Sequence, residues 1–285
     1  MAQQPDSDDR AAPGGPLCRV AFGLSYDGSR FHGFAIQPDT ETVAGAFLGA
    51  LERTAGAELT YTCAGRTDAG VHALAQVVHV DIDRSILVRR YAPEDICVGT
   101  EIPDLARALS RQLLPSIVVW RAVVVDPSFD ARRSATARRY RYDLRVGERI
   151  DPLLGRSSWW VGPGLDLDAM RLGCDPLVGS HDFAGFCRRP PGHTGPIIRR
   201  VNEATFRELD DRVWRFEIES SSFCHQMVRA IVGSLKAIGE GKLRASDITA
   251  RLRGADRTGS PPLAPPGGLT LIEVSYPDEL GGSWR

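Results

Sequence analysis

"RRYRYDLRV", residues 138–146, alternates without a break. Tyr140, Tyr142, Leu144 and Val146 fall on one side, and Arg139, Arg141, Asp143 and Arg145 on the other. A period of two is that of a β-strand with one dry face and one wet face. Strands of an all-parallel sheet are covered on both faces and read as continuous apolar runs. This stretch therefore belongs to an antiparallel or mixed sheet with helices on one face.

Working outward, "RVWRFEIES" (212–220) repeats the alternation, and a strand is expected near 198–208. "CRVAFGLSY" (18–26), "VHALAQVVHVDID" (71–83), "SIVVWRAVVV" (116–125) and "LTLIEVSY" (269–276) also read as strands. Helical spacing runs from Thr42 through "TVAGAFLGALERTAG", with Val43, Ala46, Phe47, Ala50 and Leu51 as its stripe. "PDLARALSRQLLP" (103–115) predicts a helix with Asp104 as N-cap and Pro115 as its stop. A weaker helix is expected over 166–178 and a short one from Ser246 or Asp247. "HQMVRAIVGSLKAIGEG" (225–241) is the strongest helix. Met227, Val228, Ile231, Val232, Leu235 and Ile238 make its apolar face.

The elements form two stretches of similar plan, each mixing strands with helices. The expected fold class is α+β, with two similar mixed halves, largely antiparallel sheets and a cleft between them. The first half covers 17–126 and the second 127–285, with the crossing near Asp126–Arg133. Residues 1–16, "MAQQPDSDDRAAPGGP", are polar and rich in Pro and Gly, and read as a disordered tail. Segments 187–197 and 254–268 are too long for simple connectors and are candidate functional loops.

Composition narrows the function classes. With 285 residues, 42% hydrophobic and 25% charged, the chain has the balance of an ordinary globular protein. No apolar run approaches the roughly 20 residues that span a bilayer. The start lacks the basic and apolar regions of a signal peptide, so a cytoplasmic protein without membrane association is expected. Its six cysteines form no CxxC pair and are expected to be reduced thiols. Cys187, His193 and the Cys224–His225 pair match no standard zinc-ligand spacing.

The net charge of −1 hides an uneven distribution. "RRSATARRYRYDLR" (132–145) holds six arginines and one acid, and "CRRPPGHTGPIIRR" (187–200) four arginines and no acid. A neutral protein can still present a basic groove to nucleic acid. No P-loop, dinucleotide fingerprint, HExxH or nucleophile elbow is present. The expected chemistry uses side chains alone, with no cofactor and no metal.

Three residues stand out. Asp68 is a lone carboxylate in "GRTDAGVHA" (65–73), and either a turn or catalysis accounts for an aspartate there. Tyr140 is either a core tyrosine or a stacking platform for a base. Arg229 sits in an apolar helix, sharing a stripe with His225 and Gly233. It either reaches solvent or pairs with a distant acid. A glycine at 233 lets another backbone approach.

Together these stretches resemble the TruA family of tRNA pseudouridine synthases. The resemblance is carried by "AGRTDAGVHALAQVVH", "FDARRSATARRYRY" (129–142) and "FCHQMVRAIVGSL" (223–235), and also by "YDGSRFHGFAIQP" (26–38) and "APPGGLTLIEVSYP" (264–277). These occur in order over residues 19–277.

The resemblance implies a cofactor-free isomerisation of uridine to pseudouridine in the anticodon stem-loop of tRNA, at positions 38 to 40, by a homodimer. Asp68 would be the catalytic aspartate, Tyr140 would pack against the base, and Arg229 would hold Asp68. Arg66 would help displace the nucleotide, and Leu269 would line the pocket. Arg138, Arg139 and Arg141 are expected to meet the RNA backbone.

The chain departs from the family pattern at Ala69, where lysine is common, and at Phe34-Ala35, where Trp-Gln is usual. It departs again at Gln226 and Ala230. A non-catalytic RNA-binding module would keep the arginines and Tyr140 without needing Asp68. An enzyme acting on a free nucleoside would not need so many arginines.

Overall fold

The computed structural model describes residues 16–91, 96–148, 151–152, 154–210, 212–254 and 259–285. The expected tail, but for Pro16, lies outside them, as do 255–258 of the second expected loop. Up to Val124 the chain forms β1 (Leu17–Tyr26), α1 (Val43–Ala55), β2 (Tyr61–Cys63), β3 (His72–Asp83), α2 (Arg84–Tyr91), α3 (Pro103–Leu113) and β4 (Ile117–Val124). It continues with β5 (Ala137–Val146), β6 (Trp159–Val161), α4 (Leu167–Leu172), β7 (Gly179–Asp182), β8 (Ile198–Asp210) and β9 (Val213–Ser220). After these come α5 (Met227–Gly239), α6 (Ala245–Gly254), β10 (Leu269–Ser275) and β11 (Ser283–Trp284).

Among the described residues all strands join one sheet, whose main path runs β4-β1-β3-β10-β5-β9-β8-β7. The α+β expectation holds, and pairing is antiparallel except at β3–β10 and β5–β6. The last long strand joins strands far apart in sequence. β10 lies between β3 and β5, with Thr270 opposite His72 on one side and Leu271 opposite Tyr140 on the other. Residues near the C-terminus therefore sit between the strand that follows the Asp68 loop and the tyrosine strand.

The alternation of β5 does what its period requires. Tyr140, Tyr142 and Leu144 are buried opposite Ile218, Phe216 and Trp214 of β9. On the other face Arg139 pairs with Glu203 at 2.8 Å and Glu219 at 2.6 Å. Arg215 forks onto Asp143 at 2.6 and 2.9 Å, and Arg207 reaches Glu217 at 2.6 Å. That face is a ladder of cross-strand ion pairs.

Helix boundaries follow local chemistry, with two corrections. Thr42 caps α1 by accepting from the Gly45 amide. The expected N-cap Asp104 lies instead in the first turn of α3, because Pro103 takes the first helical position and Ile102 the cap. Helix α5 starts at Met227 rather than His225, because Gln226 adopts a left-handed conformation with φ 67°. Its apolar face is buried as expected. Short elements β2, β6, β7, β11 and α2 carry too few periodic residues to be read in advance. No helix among the described residues is long and apolar enough to cross a membrane.

Candidate active site

Asp68 is presented by a loop fastened on both flanks. The Ala64 amide donates to Val77 O at 2.8 Å, and Gln76 Nε2 donates to Gly65 O at 2.7 Å. Thr67 is buried, its hydroxyl 2.8 Å from Tyr26 Oη and its carbonyl accepting from the Phe34 amide at 3.0 Å. The Val71 amide closes a turn onto Asp68 O at 3.1 Å, and Gly70 supplies the positive φ of 78° that such a turn needs. The turn reading is correct for the backbone. With Thr67 turned inward, Arg66 and Ala69 are exposed and the Asp68 carboxylate keeps 23% of its accessibility.

Phe34, one of the departures from the family pattern, explains itself here. Its ring is buried between Tyr26 and Tyr61, at centroid distances of 6.1 and 6.0 Å. Its amide and carbonyl bond Thr67 O and the Ala44 amide. It buttresses the Asp68 loop from behind.

Arg229 comes from α5, 161 residues away in sequence. Its Nη1 donates to Asp68 Oδ2 at 3.0 Å and its Nε to Ala264 O at 2.8 Å. The side chain is 15% exposed, so pairing rather than reaching solvent is what the structure shows. Gly233 has the expected role. A Cβ there would collide with the Pro262 carbonyl oxygen, and the Ala264 amide bonds Arg229 O at 3.1 Å. The 262–264 segment thus crosses α5 in contact and fixes the guanidinium. Gly233→Ala should force the crossing chain outward and cost about 1–3 kcal/mol. Thermal melting checks this, together with the loss of activity expected from a displaced Arg229.

Tyr140 is buried on the sheet face shared with Tyr142, its ring edge-on to Phe223 with centroids 5.0 Å apart and planes at 86°. Its hydroxyl lies 4.0 Å from where a Cβ at Gly65 would sit, so the phenol abuts the Asp68 loop. Burial above all pushes its pKa well up, with the neighbouring Asp68 charge adding to it, so it stays a neutral phenol. Leu269 is buried opposite Tyr142 where β10 begins. The structure thus brings Asp68, Tyr140 and Arg229 together.

His225 was legible as a stripe neighbour of Arg229 and as half of the Cys224–His225 pair, not as a neighbour of Asp68. It reaches the site from the turn before α5, with Nε2 3.4 Å from Asp68 Oδ1. Each carboxylate oxygen of Asp68 therefore faces one basic side chain. The left-handed Gln226 aims the imidazole this way, and periodicity carries no trace of that.

Several expectations require correction. Arg139 and Arg141 lie on the sheet face opposite Tyr140. Arg139 is held by Glu203 and Glu219, and Arg141 lies 3.6 Å from Asp143. The alternation that buries Tyr140 turns them away from the site. Arg138 shares the site's side but is buried, with its donors spent on backbone carbonyls. Arg66, Arg132, Arg133, Arg188 and Arg200 are the exposed arginines on these segments.

Nor are all cysteines free. Cys187 and Cys224 are joined as a disulfide, their Cα atoms 5.8 Å apart. The Arg188 amide bonds His225 O at 3.0 Å and brings the 187–197 loop alongside the turn before α5. Cys63 and Cys174 are buried free thiols, pushed up to about 11 and about 12 by burial.

Residues 174–277 match the family model described as tRNA pseudouridine synthase. Over its length the chain is 41% identical to "tRNA pseudouridine synthase A" of Leifsonia xyli, covering 92% of this chain and 94% of that protein. It is 38% identical to the protein of the same name from Streptomyces griseus, covering 94% and 91%. It is 39% identical to that from Frankia casuarinae, covering 92% and 91%. Identity at this level over nearly the whole of each chain means that this protein belongs to the tRNA pseudouridine synthase A family.

Proposed function

We propose that the chain converts uridine to pseudouridine in the anticodon stem-loop of tRNA, using Asp68 and no cofactor, as a homodimer. One observation supports this most: a carboxylate, a buried phenol and a guanidinium converge from three distant segments, with Arg229 3.0 Å from Asp68. A module that only bound RNA would have no use for a carboxylate at the centre of its site. Phosphates repel it.

The reaction breaks the bond between uracil N1 and C1′ and makes one between C5 and C1′. N1 gains a proton, C5 loses one, and no electrons enter. It needs one carboxylate near the sugar and walls that keep the freed base in place. Arg229 fixes Oδ2 and leaves Oδ1 on the His225 side. Tyr140 offers a ring for the base, and Leu269 an apolar wall. The uridine must leave its stack, at a cost of a few kcal/mol. Stacking on an aromatic ring returns about 1–3 kcal/mol per base. Arg66, exposed two residues from Asp68, would take the place of the displaced nucleotide in the stack.

The exposed arginines make the binding salt-dependent. Arg66→Ala should lower the slope of log K against log salt by about 0.7–0.9, the loss of one phosphate contact. Arg139→Ala should leave the slope unchanged, because its charge is spent on Glu203 and Glu219. Filter binding at several salt concentrations separates the two. The function itself is tested with tRNA transcript tritiated at uracil C5. Turnover must release tritium to water, and the chain fails the proposal if none is released.

A further inference from the structure

Arg138 is the one buried arginine among the described residues, at 7% exposure. Its guanidinium has no carboxylate partner among them. Its donors go to backbone oxygens of three separate segments. Nε and Nη2 donate to Ala64 O at 3.2 and 2.9 Å, and Nη2 also to Arg132 O at 2.6 Å. Nη1 donates to Ala135 O at 3.1 Å and Ser221 O at 2.8 Å. Burial works against its charge and lowers its pKa.

The positions of those carbonyls matter. Ala64 opens the loop that presents Asp68. Ser221 opens the turn that delivers His225 and then Arg229. Arg132 and Ala135 lie just before the Tyr140 strand. Taking a lone cation out of water is costly, and an apolar side chain of similar volume would fill the same space without that cost. What an apolar chain would not do is fix the distance between three irregular segments. A planar fork with five donors does this with direction as well as attraction.

We propose that Arg138 is a positioning residue of the reaction: its guanidinium sets the spacing between the Asp68 loop and the segment carrying His225 and Arg229. The proposal rests on the function put forward above. A site loosened by about 1 Å loses on the order of a hundredfold in rate. Lysine at 138 keeps the charge but not the fork, and methionine keeps the bulk alone.

The test uses the full chain with Arg138→Lys and Arg138→Met, in single-turnover reactions with excess enzyme at low temperature. The amplitude counts folded, competent molecules, and the rate constant reports the geometry of the bound complex. In both variants the rate constant should fall about 10- to 100-fold, with tRNA affinity within about threefold by filter binding. Amide hydrogen exchange in Arg138→Lys should accelerate in 64–70 and 221–226 and stay unchanged in the central strands.

A wild-type rate constant with reduced amplitude would assign Arg138 to folding only and overturn the proposal. So would a Lys variant of full rate and unchanged exchange. The exchange readout does not depend on turnover. A wild-type chain that released no tritium would therefore fail the proposed function, whereas a reactive wild type matched by its variants would fail this inference.

Discussion

Asp68→Asn should lower pseudouridine formation by at least about a thousandfold, within the range expected for loss of a reacting acid or base group. Asparagine keeps the shape of the side chain and can still accept from Arg229 Nη1. The loop is held by Thr67, Gly65 and Val71 rather than by the carboxylate. The variant should therefore fold, and tRNA should bind at least as well, since a negative charge near the phosphates is gone. Rate measurements beside filter binding check both halves. Substantial turnover in this variant would remove Asp68 from the chemistry.

The second large effect is expected at Arg229. Replacing it by methionine leaves Asp68 Oδ2 without its guanidinium partner and breaks the bond to Ala264 O. Removing one member of a buried pair costs about 3–5 kcal/mol. Asp68 keeps 23% of its accessibility, so water recovers part of that. A loss of about 2–3 kcal/mol is expected, which for a chain of this size lowers the melting temperature by roughly 5–10 °C. Activity should fall at least about a hundredfold, because the carboxylate is no longer held and the 262–264 crossing is loosened. Arg229→Lys should lie between, keeping charge but losing one of the two bonds. A methionine variant as stable and active as wild type would refute the ion pair.

Features set by period and local chemistry were legible in the sequence. The alternation of 138–146 placed Tyr140 inside and Arg139 and Arg141 outside, and β5 has that arrangement. The apolar run of 227–238 marked α5, and Gly233 marked a close crossing that Pro262 occupies.

Features that depend on distant pairing stayed hidden. Nothing local in "LTLIEVSY" says that it inserts between β3 and β5. Arg138 looked like its basic neighbours, and only burial between three loops separates it from them. His225 was misplaced by two residues of helix, because the left-handed Gln226 has no counterpart in hydrophobic periodicity. Cys187 and Cys224 are brought together by the 187–197 loop, whose path no pattern encodes.

The central claim is that Asp68, held by Arg229 beside Tyr140, isomerises uridine in tRNA with nothing added. The direct measurement incubates purified chain, free of metal and cofactor, with an unmodified tRNA transcript and maps pseudouridine at single-nucleotide resolution. Wild-type protein should convert one or more uridines of the anticodon stem-loop, and the Asp68→Asn protein at the same concentration none. Absence of pseudouridine with the wild type, or equal conversion by both proteins, would contradict the account.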